Sequence, residues 1–484
     1  MRRGLKILHL HLHGLIRSHN LELGRDPDTG GQTQYVLELV KSLANTVEVE
    51  QVDLVTRLIK DKRVDIDYSQ ESEFIELGAR ILRFNFGPNK YLRKELLWPY
   101  LDELIKQLSD FYGKVENKPD WIHAHYADAG YVGVRLSKLL NVPLVFTAHS
   151  LGREKKRRLL DAGLKSKQIE KTYFIGKRIS AEEEALKESS MVVTSTKQES
   201  VIQYSDYECF ESFKAKVISP GVNHKKFHHI HSTTETSDID NLMNPFLIDT
   251  SKPPVLAISR AVRRKNIPAL LEAYGRSDKL KKNNNLILVL GCRDNISKLD
   301  SQQKDVFQQI FEIIDKYNLY GKVAYPKKHT TDQIPAIYRW AASRSGIFVN
   351  PALTEPFGLT LLEAASCGLP MVATDDGGPR EIKYKCENGL LADVTDLNAL
   401  KIALEKAISN RSQWKLWSQN GIEAVSRYFS WGSHVRNYLH SMRNRDQRLN
   451  IVSSSGIKLS CLNGASSLTK PHSSNTAGSG CMIN

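Results

Sequence analysis

At 484 residues, with 41% hydrophobic and 25% charged side chains, the chain has a globular composition and is too long for one ordinary core, so two or three domains are expected. Its net charge of +14 fits a polyanionic partner, phosphorylated small molecules or a solvated basic surface equally well. No stretch matches an RRM, KH or zinc-finger module, no histidine and cysteine spacing suggests a metal site, and no run approaches the roughly 18 apolar residues of a membrane span. The six cysteines include no C-x-x-C pair and the N-terminus has no apolar leader. A cytoplasmic protein that binds neither nucleic acid nor membrane is expected.

In chain order, residues 6–12 (KILHLHL) form a first parallel strand, followed by a glycine-bearing loop and a helix starting near Gln32. Gly30 and Gly31 let a ligand approach the backbone closely and Gln32 supplies an amide, but the pair is neither a dinucleotide fingerprint nor a P-loop. Strands at 52–56, 80–84, 121–125, 144–147, 191–194 and 216–218 alternate with helical patterns, which makes residues 1–223 a doubly wound α/β domain. Polar residues follow two neighbouring strands, as His125-Tyr126-Ala127-Asp128 and His149-Ser150-Leu151-Gly152. Such carboxyl ends are where open α/β sheets bind ligands. Basic residues come in three clusters: Lys90, Arg93 and Lys94; Arg153 to Arg158 (REKKRR); and Lys177 with Arg178. Solvated helix faces explain most of them, and one or two from each cluster could instead converge on a phosphate ester.

Residues 224–253 are polar and poorly periodic and read as an interdomain linker. A second Rossmann-like α/β series, residues 254–430, follows with strands at 255–259, 286–291, 323–325, 346–349 and 371–373. Arg260 and Lys265 stand at a strand-to-helix turn, where cations can neutralise a diphosphate leaving group. The stretch GIFVNPALTEPFGLTLLEAASCGLPMVATDDGGPREI, residues 346–382, reads as strand, loop, helix over 357–367, strand and a second glycine turn. Its helix, entered through Pro356-Phe357-Gly358, offers free N–H groups to an anion. Glu355 lies in the loop at the helix mouth, within reach of a reacting sugar, and Glu363 lies inside the helix, placed to accept hydrogen bonds from a hydroxyl pair. Helical patterns over 396–427 and from 431 to about 443 close the fold, with 431–447 expected to pack back on the N-terminal domain. Residues 448–484, rich in Ser, Gly and Asn, read as a disordered tail.

Thr354-Glu355-Pro356-Phe357-Gly358 with Glu363, the pair Arg260 and Lys265, the SPGVN run at 219–223 and the double-glycine loop together resemble the retaining nucleotide-sugar glycosyltransferases of the two-Rossmann GT-B fold. Within them, LHGLIRSHNLELGRDPDTGGQTQYV (12–36), NKYLRKELLWPY (89–100), HAHYADAG (123–130) and TAHSLGREK (147–155) resemble the sucrose-phosphate synthase family. The resemblance implies two domains facing a central cleft, with UDP-glucose or ADP-glucose held by the second and fructose 6-phosphate by the first. Sucrose 6-phosphate is the implied product, and no metal or other cofactor is required. On the donor side it assigns Arg260, Lys265, Phe357, Gly358, Leu359 and Glu363, with Glu355 beside the transferred glucose and His149 touching the donor hexose. The catalytic set is then Glu355, His149, Arg260 and Lys265. On the acceptor side it assigns Gly30, Gly31, Gln32, Lys94, Tyr126, Ser150, Lys155 and Arg178.

Two departures stand out: Ala261-Val262 replaces a usually more polar or proline-containing pair, and no Asp-x-Asp opens a phosphatase domain. A separate sucrose-phosphate phosphatase is therefore an expected partner. The rival readings are a sucrose synthase-like transferase with an unphosphorylated acceptor and a non-catalytic phosphosugar or nucleic-acid binder.

Overall fold

The computed structural model describes residues 4–229 and 237–455. The described residues through Leu439 form one compact unit, and the described residues from His440 to Ser455 belong to a second. The first sheet contains β1 (Leu5–Leu10), β2 (Val49–Arg57), β3 (Ser72–Glu76), β4 (Ala79–Phe84), β5 (Trp121–His125), β6 (Leu144–Thr147), β7 (Met191–Thr194) and β8 (Ala215–Val217). The second contains β9 (Pro254–Ile258), β10 (Asn285–Val289), β11 (Val323–Ala324), β12 (Ile347–Asn350), β13 (Met371–Thr374) and β14 (Gly389–Ala392). Most of these are short, buried, β-branched-rich runs joined by helical crossovers, which favours parallel pairing with both faces covered.

The strand order is β3-β4-β2-β1-β5-β6-β7-β8 in the first sheet and β11-β10-β9-β12-β13-β14 in the second. All neighbours are parallel except β3 with β4. Strand order reverses between β1 and β5 in one sheet and between β9 and β12 in the other. At such a switch the loops leaving the two strands diverge and open a crevice. Four of the loops singled out in the sequence leave these strands: the double-glycine loop after β1, that of Tyr126 after β5, that of Arg260 after β9 and that of Glu355 after β12.

Several elements differ from expectation. The strand β3 (SEFIE) is a short antiparallel edge whose Phe74 is exposed, so it carries little of the buried pattern by which a strand is recognised. β14 is only four residues long and opens on a glycine. The helical pattern over 396–427 divides into Leu397–Ala407 and Arg411–Tyr428, the second capped by the Asn410 side chain accepting from the Gln413 amide at 3.0 Å. The linker contains a helix, Ser237–Met243, because Ile239 and Met243 are buried in the second core and Asp240 accepts from Trp340 at 2.9 Å and Arg344 at 2.7 Å; residues 230–236 lie outside the described part. The helix Trp431–Ser455 runs past residue 448, where a disordered tail was expected to begin, and the remainder of that tail lies outside the described residues.

After Tyr428 the chain returns to the first half. The Val222 amide donates to the Phe429 carbonyl at 2.7 Å, and Val222 forms a parallel bridge with Ser430. Trp431 packs edge-on to Tyr35, His434 Nδ1 donates to the Ser219 carbonyl at 2.9 Å, and Tyr438 bonds His123 at 3.0 Å. Gly221 sits in the crossing, where an added Cβ would lie 2.3 Å from the Trp431 nitrogen. Because that contact is with backbone, Gly221→Ala should cost about 2 kcal/mol of stability through overpacking, seen as a lowered midpoint in thermal unfolding; an unshifted midpoint would show that the crossing yields freely.

Candidate functional site

At the second switch point the loop after β12 folds back over the turn after β9. The Leu353 amide donates to the Arg264 carbonyl at 3.0 Å. This brings Lys265 Nζ to 2.5 Å from Glu355 Oε2, which also accepts from Asn350 at 3.1 Å. Burial alone would push the Glu355 carboxyl up; the Lys265 ammonium and the hydrogen bonds from Lys265 and Asn350 outweigh it and hold the group below the usual carboxylate range. Gly377 and Gly378 make the close approach possible. A Cβ on Gly377, whose φ is +99°, would stand 2.1 Å from the Glu355 carbonyl oxygen. Asp376 completes the loop by accepting from Thr354 Oγ1 at 2.5 Å.

Gly358, at φ +101°, turns the chain into the helix Leu359–Ser366. The helix starts two residues later than expected, after Gly358, and the buried Phe357 ring lies against Phe429. The first N–H groups of the helix lack intrahelical acceptors and face an anion favourably. Arg260 approaches from the β9 end, partly buried, with its Cδ 3.7 Å from where a Cβ on Gly24 would stand. Burial and the neighbouring Arg264 lower its pKa while Asp26 opposes them. Glu363 lines a pocket with Tyr35, Glu38, Asn223, Leu359 and Trp431. Burial pushes its carboxyl up to about 8, only partly opposed by Lys226 and by a hydrogen bond with Tyr338.

At the first switch point, one cation from each basic cluster turns into a single pocket. Lys94, Lys155 and Arg178 line it with Glu95, Trp98, Tyr126, Asp128 and Tyr173, while Lys90, Arg93 and Lys177 are exposed. In the helix Gly152–Asp161, Arg153 pairs with Glu183 and Arg157 and Arg158 pair with Glu154. The Lys94 ammonium pairs with Asp28, which also accepts from the Lys94 amide at 2.9 Å. Arg178 donates to the Ser150 carbonyl at 2.6 Å and to Ser150 Oγ at 3.0 Å, and its guanidinium lies 4.4 Å from the Tyr126 ring centre. Tyr126 holds φ +80° and ψ 172°, a conformation nearly confined to glycine. Burial, with Arg178 and Lys94 close by, lowers Lys155 to about 8. Gly30 and Gly31 open the helix Gly31–Ala44 with free space where side chains would stand, and Gln32 contacts His11 at 3.0 Å; these three lie outside the lining of the cation pocket.

Sequence reasoning missed the buried histidines between the strands. His9 Nδ1 lies 2.9 Å from His125 Nε2, and His125 Nδ1 lies 3.0 Å from His149 Nε2. His13 contacts Asp128 at 2.8 Å. The alternation at 9, 11 and 13 in a strand pattern was the available signal, because period two puts all three on one face. Among the described residues His9, His123 and His125 are the one group whose nitrogens lie within 4.8 Å of one another as metal ligands require. Both nitrogens of His123 and both of His125 already meet a Thr147, Tyr438, His9 or His149 partner, so they satisfy their neighbours rather than converge on an ion.

Residues 4–231 match the model of the sucrose synthase first GT-B domain, and residues 238–424 match that of group 1 glycosyl transferases. Sucrose-phosphate synthase 4 of Arabidopsis thaliana is 40% identical over 498 residues, covering 90% of this chain and 47% of that one. The chain thus spans about half the length of the curated relatives it matches. Among solved structures, the sucrose-phosphate synthase of Thermosynechococcus elongatus aligns with a TM-score of 0.70 at 23% identity, over 93% of this chain and 100% of that one. HepE of Anabaena in complex with UDP-glucose aligns with a TM-score of 0.61 at 16% identity, over 93% of this chain and 100% of that one.

With the Glu363 carboxyl raised to about 8, the group is mostly protonated at neutral pH. Infrared difference spectra between about pH 6 and about pH 9 should show a carboxylic acid converting to carboxylate, and the change should vanish in Glu363→Gln. Its persistence in that variant would place the titration elsewhere.

Proposed function

The chain belongs to the glycosyltransferases of the GT-B fold, and from that premise we propose that it is a retaining hexosyltransferase of the sucrose-phosphate synthase type. It moves glucose from UDP-glucose, or from ADP-glucose, to fructose 6-phosphate and forms sucrose 6-phosphate without a metal cofactor. A separate phosphatase then releases sucrose. The observation that carries the reading is the convergence of Lys94, Lys155 and Arg178 on one pocket at the β1/β5 switch point. Three cations from three separate segments, one of them with a depressed pKa, suit a dianionic phosphate ester better than a neutral sugar. The homology to sucrose-phosphate synthases over 90% of this chain supports it.

On the donor side, Arg260, Lys265 and the helix mouth at Gly358 and Leu359 take the diphosphate, and Glu363 takes the ribose hydroxyls. Those hydroxyls donate to the ionised carboxylate, so nucleotide binding draws the Glu363 proton off. Glu355, kept ionised by Lys265, stands beside the transferred glucose, with His149 touching the same hexose. The motifs among the described residues mark no nucleophile pair of the retaining-glycosidase kind. Transfer therefore runs on one face: the bond from the anomeric carbon to the β-phosphate oxygen breaks as the fructose hydroxyl oxygen bonds to that carbon. The hydroxyl proton passes to the departing phosphate oxygen. Fixed cations stabilise the charge that develops there.

Removing one such preorganised donor costs about 3 kcal/mol of barrier, so Arg260→Ala and Lys265→Ala should each lower turnover roughly 100-fold in folded protein. Near-normal turnover in either would contradict the assignment. Fructose should be a far poorer acceptor than fructose 6-phosphate. A lysine lowered to about 8 is protonated below that pH and neutral above it, and bound phosphate favours the protonated form. The KM for fructose 6-phosphate should therefore hold steady below pH 8 and rise above it, approaching about tenfold per pH unit. Lys155→Arg should move the rise to higher pH, and equal rates with fructose would refute a phosphate pocket.

A further inference from the structure

The imidazoles of His9, His125 and His149 form a continuous chain from the buried middle of the first sheet to the crevice. The contacts are His9 Nδ1 to His125 Nε2 at 2.9 Å and His125 Nδ1 to His149 Nε2 at 3.0 Å. A neutral imidazole has one N–H and one lone pair, so the chain can be donated in only two directions. Inward donation, from His149 Nε2–H to His125 and from His125 Nε2–H to His9, places the last proton on His9 Nε2. His9 is wholly buried, and its Nε2 has no hydrogen-bond partner among the described residues. A dry N–H without an acceptor forfeits a full hydrogen bond and is rarer in proteins than an under-used acceptor. Outward donation leaves only a lone pair at that position.

We infer that the chain donates outward, so that His9 and His125 act as positioning residues that lock His149 in its Nδ1–H tautomer and aim a hydrogen-bond donor at an oxygen of the bound hexose. The backbone at His149 supports the role: its φ of +57° holds the residue in the left-handed region, with its ring 5.0 Å from the Tyr35 ring. Burial depresses both His9 and His149 to about 3, so the chain stays neutral and its direction is preserved across the range in which proteins function. This deepens the sugar-binding reading of His149 and rests on it.

The test uses the full chain labelled with ¹⁵N-histidine and reads ring tautomers by long-range ¹H–¹⁵N correlation, with His149→Gln identifying the His149 signals. The expected result is a protonated Nδ1 and a bare Nε2 on His149; the opposite tautomer overturns the inference. His9→Phe keeps the ring volume and removes the inner donor. It should leave His149 in the same tautomer, because a bare His125 Nε2 is again preferred to a dry N–H, but it frees the His125 ring to tilt and should lower kcat about tenfold with the fructose 6-phosphate KM unchanged. His9→Asn, whose amide nitrogen stands near the position of the lost Nδ1 and can donate to His125 Nε2, should restore the turnover. A reversed His149 tautomer or an unaltered kcat in His9→Phe sinks the relay, and if that variant does not fold, the tautomer of the unsubstituted chain decides alone. Should the chain transfer no sugar while His149 shows Nδ1–H, the relay stands and the proposed activity falls.

Discussion

Taking charge out of water is the constraint around which both crevices are arranged. An ion moved from solvent into a protein interior loses several kcal/mol of hydration, and only a well-placed counter-charge returns it. In the second half Lys265 and Glu355 meet this cost together, with Asn350 as a third partner. In the first half Lys94 leans on Asp28, and Arg178 donates to Glu182 at 2.8 Å while lying over Tyr126. The exceptions are the groups whose ionisation is displaced. Lys155 has Glu95 at 4.0 Å and two cations beside it, and Glu363 has the Lys226 charge and a tyrosine hydroxyl at 3.5 Å, which together do not offset its burial. In the proposed reaction an incoming phosphate or hydroxyl pair would supply the interaction that each of them lacks.

The parts of the site written into local sequence were legible. Strand followed by glycine turn followed by helix placed the double-glycine loop and the Glu355 loop at strand ends, because period and turn chemistry are properties of short windows. Which member of a cluster turns inward was a different matter. Lys155 and Arg158 are three residues apart on one helix, yet one reaches the pocket and the other pairs with Glu154. That choice depends on what packs against the helix, here Glu95 and Tyr173, which come from other segments. Only the fold could show it.

The histidines mark the same limit more sharply. A histidine in a strand is ordinarily a satisfied core residue, and His9 taken alone looks like one. It acquires a role because β1 pairs with β5 in a register that sets His9 opposite His123, and because His149 follows the next strand over. Long-range strand pairing cannot be read from one strand. The raised carboxyl of Glu363 was hidden for the same reason, since Trp431, Asn223 and Tyr35 reach its pocket from distant parts of the chain.

The return of the chain onto its first half has a consequence for how the molecule is made. Val222 finds its partners at Phe429 and Ser430, and His123 and Tyr35 receive Tyr438 and Trp431 only after the whole second sheet has been synthesised. A nascent first half emerging from the ribosome therefore keeps one face of its sheet incomplete through the time needed to translate the second. Contacts so far apart in sequence form late and slowly. The first half has a core of its own between Leu8 and Tyr207, so a gene cut between the two sheets would leave Val222, Tyr35 and His123 without these partners rather than remove that core.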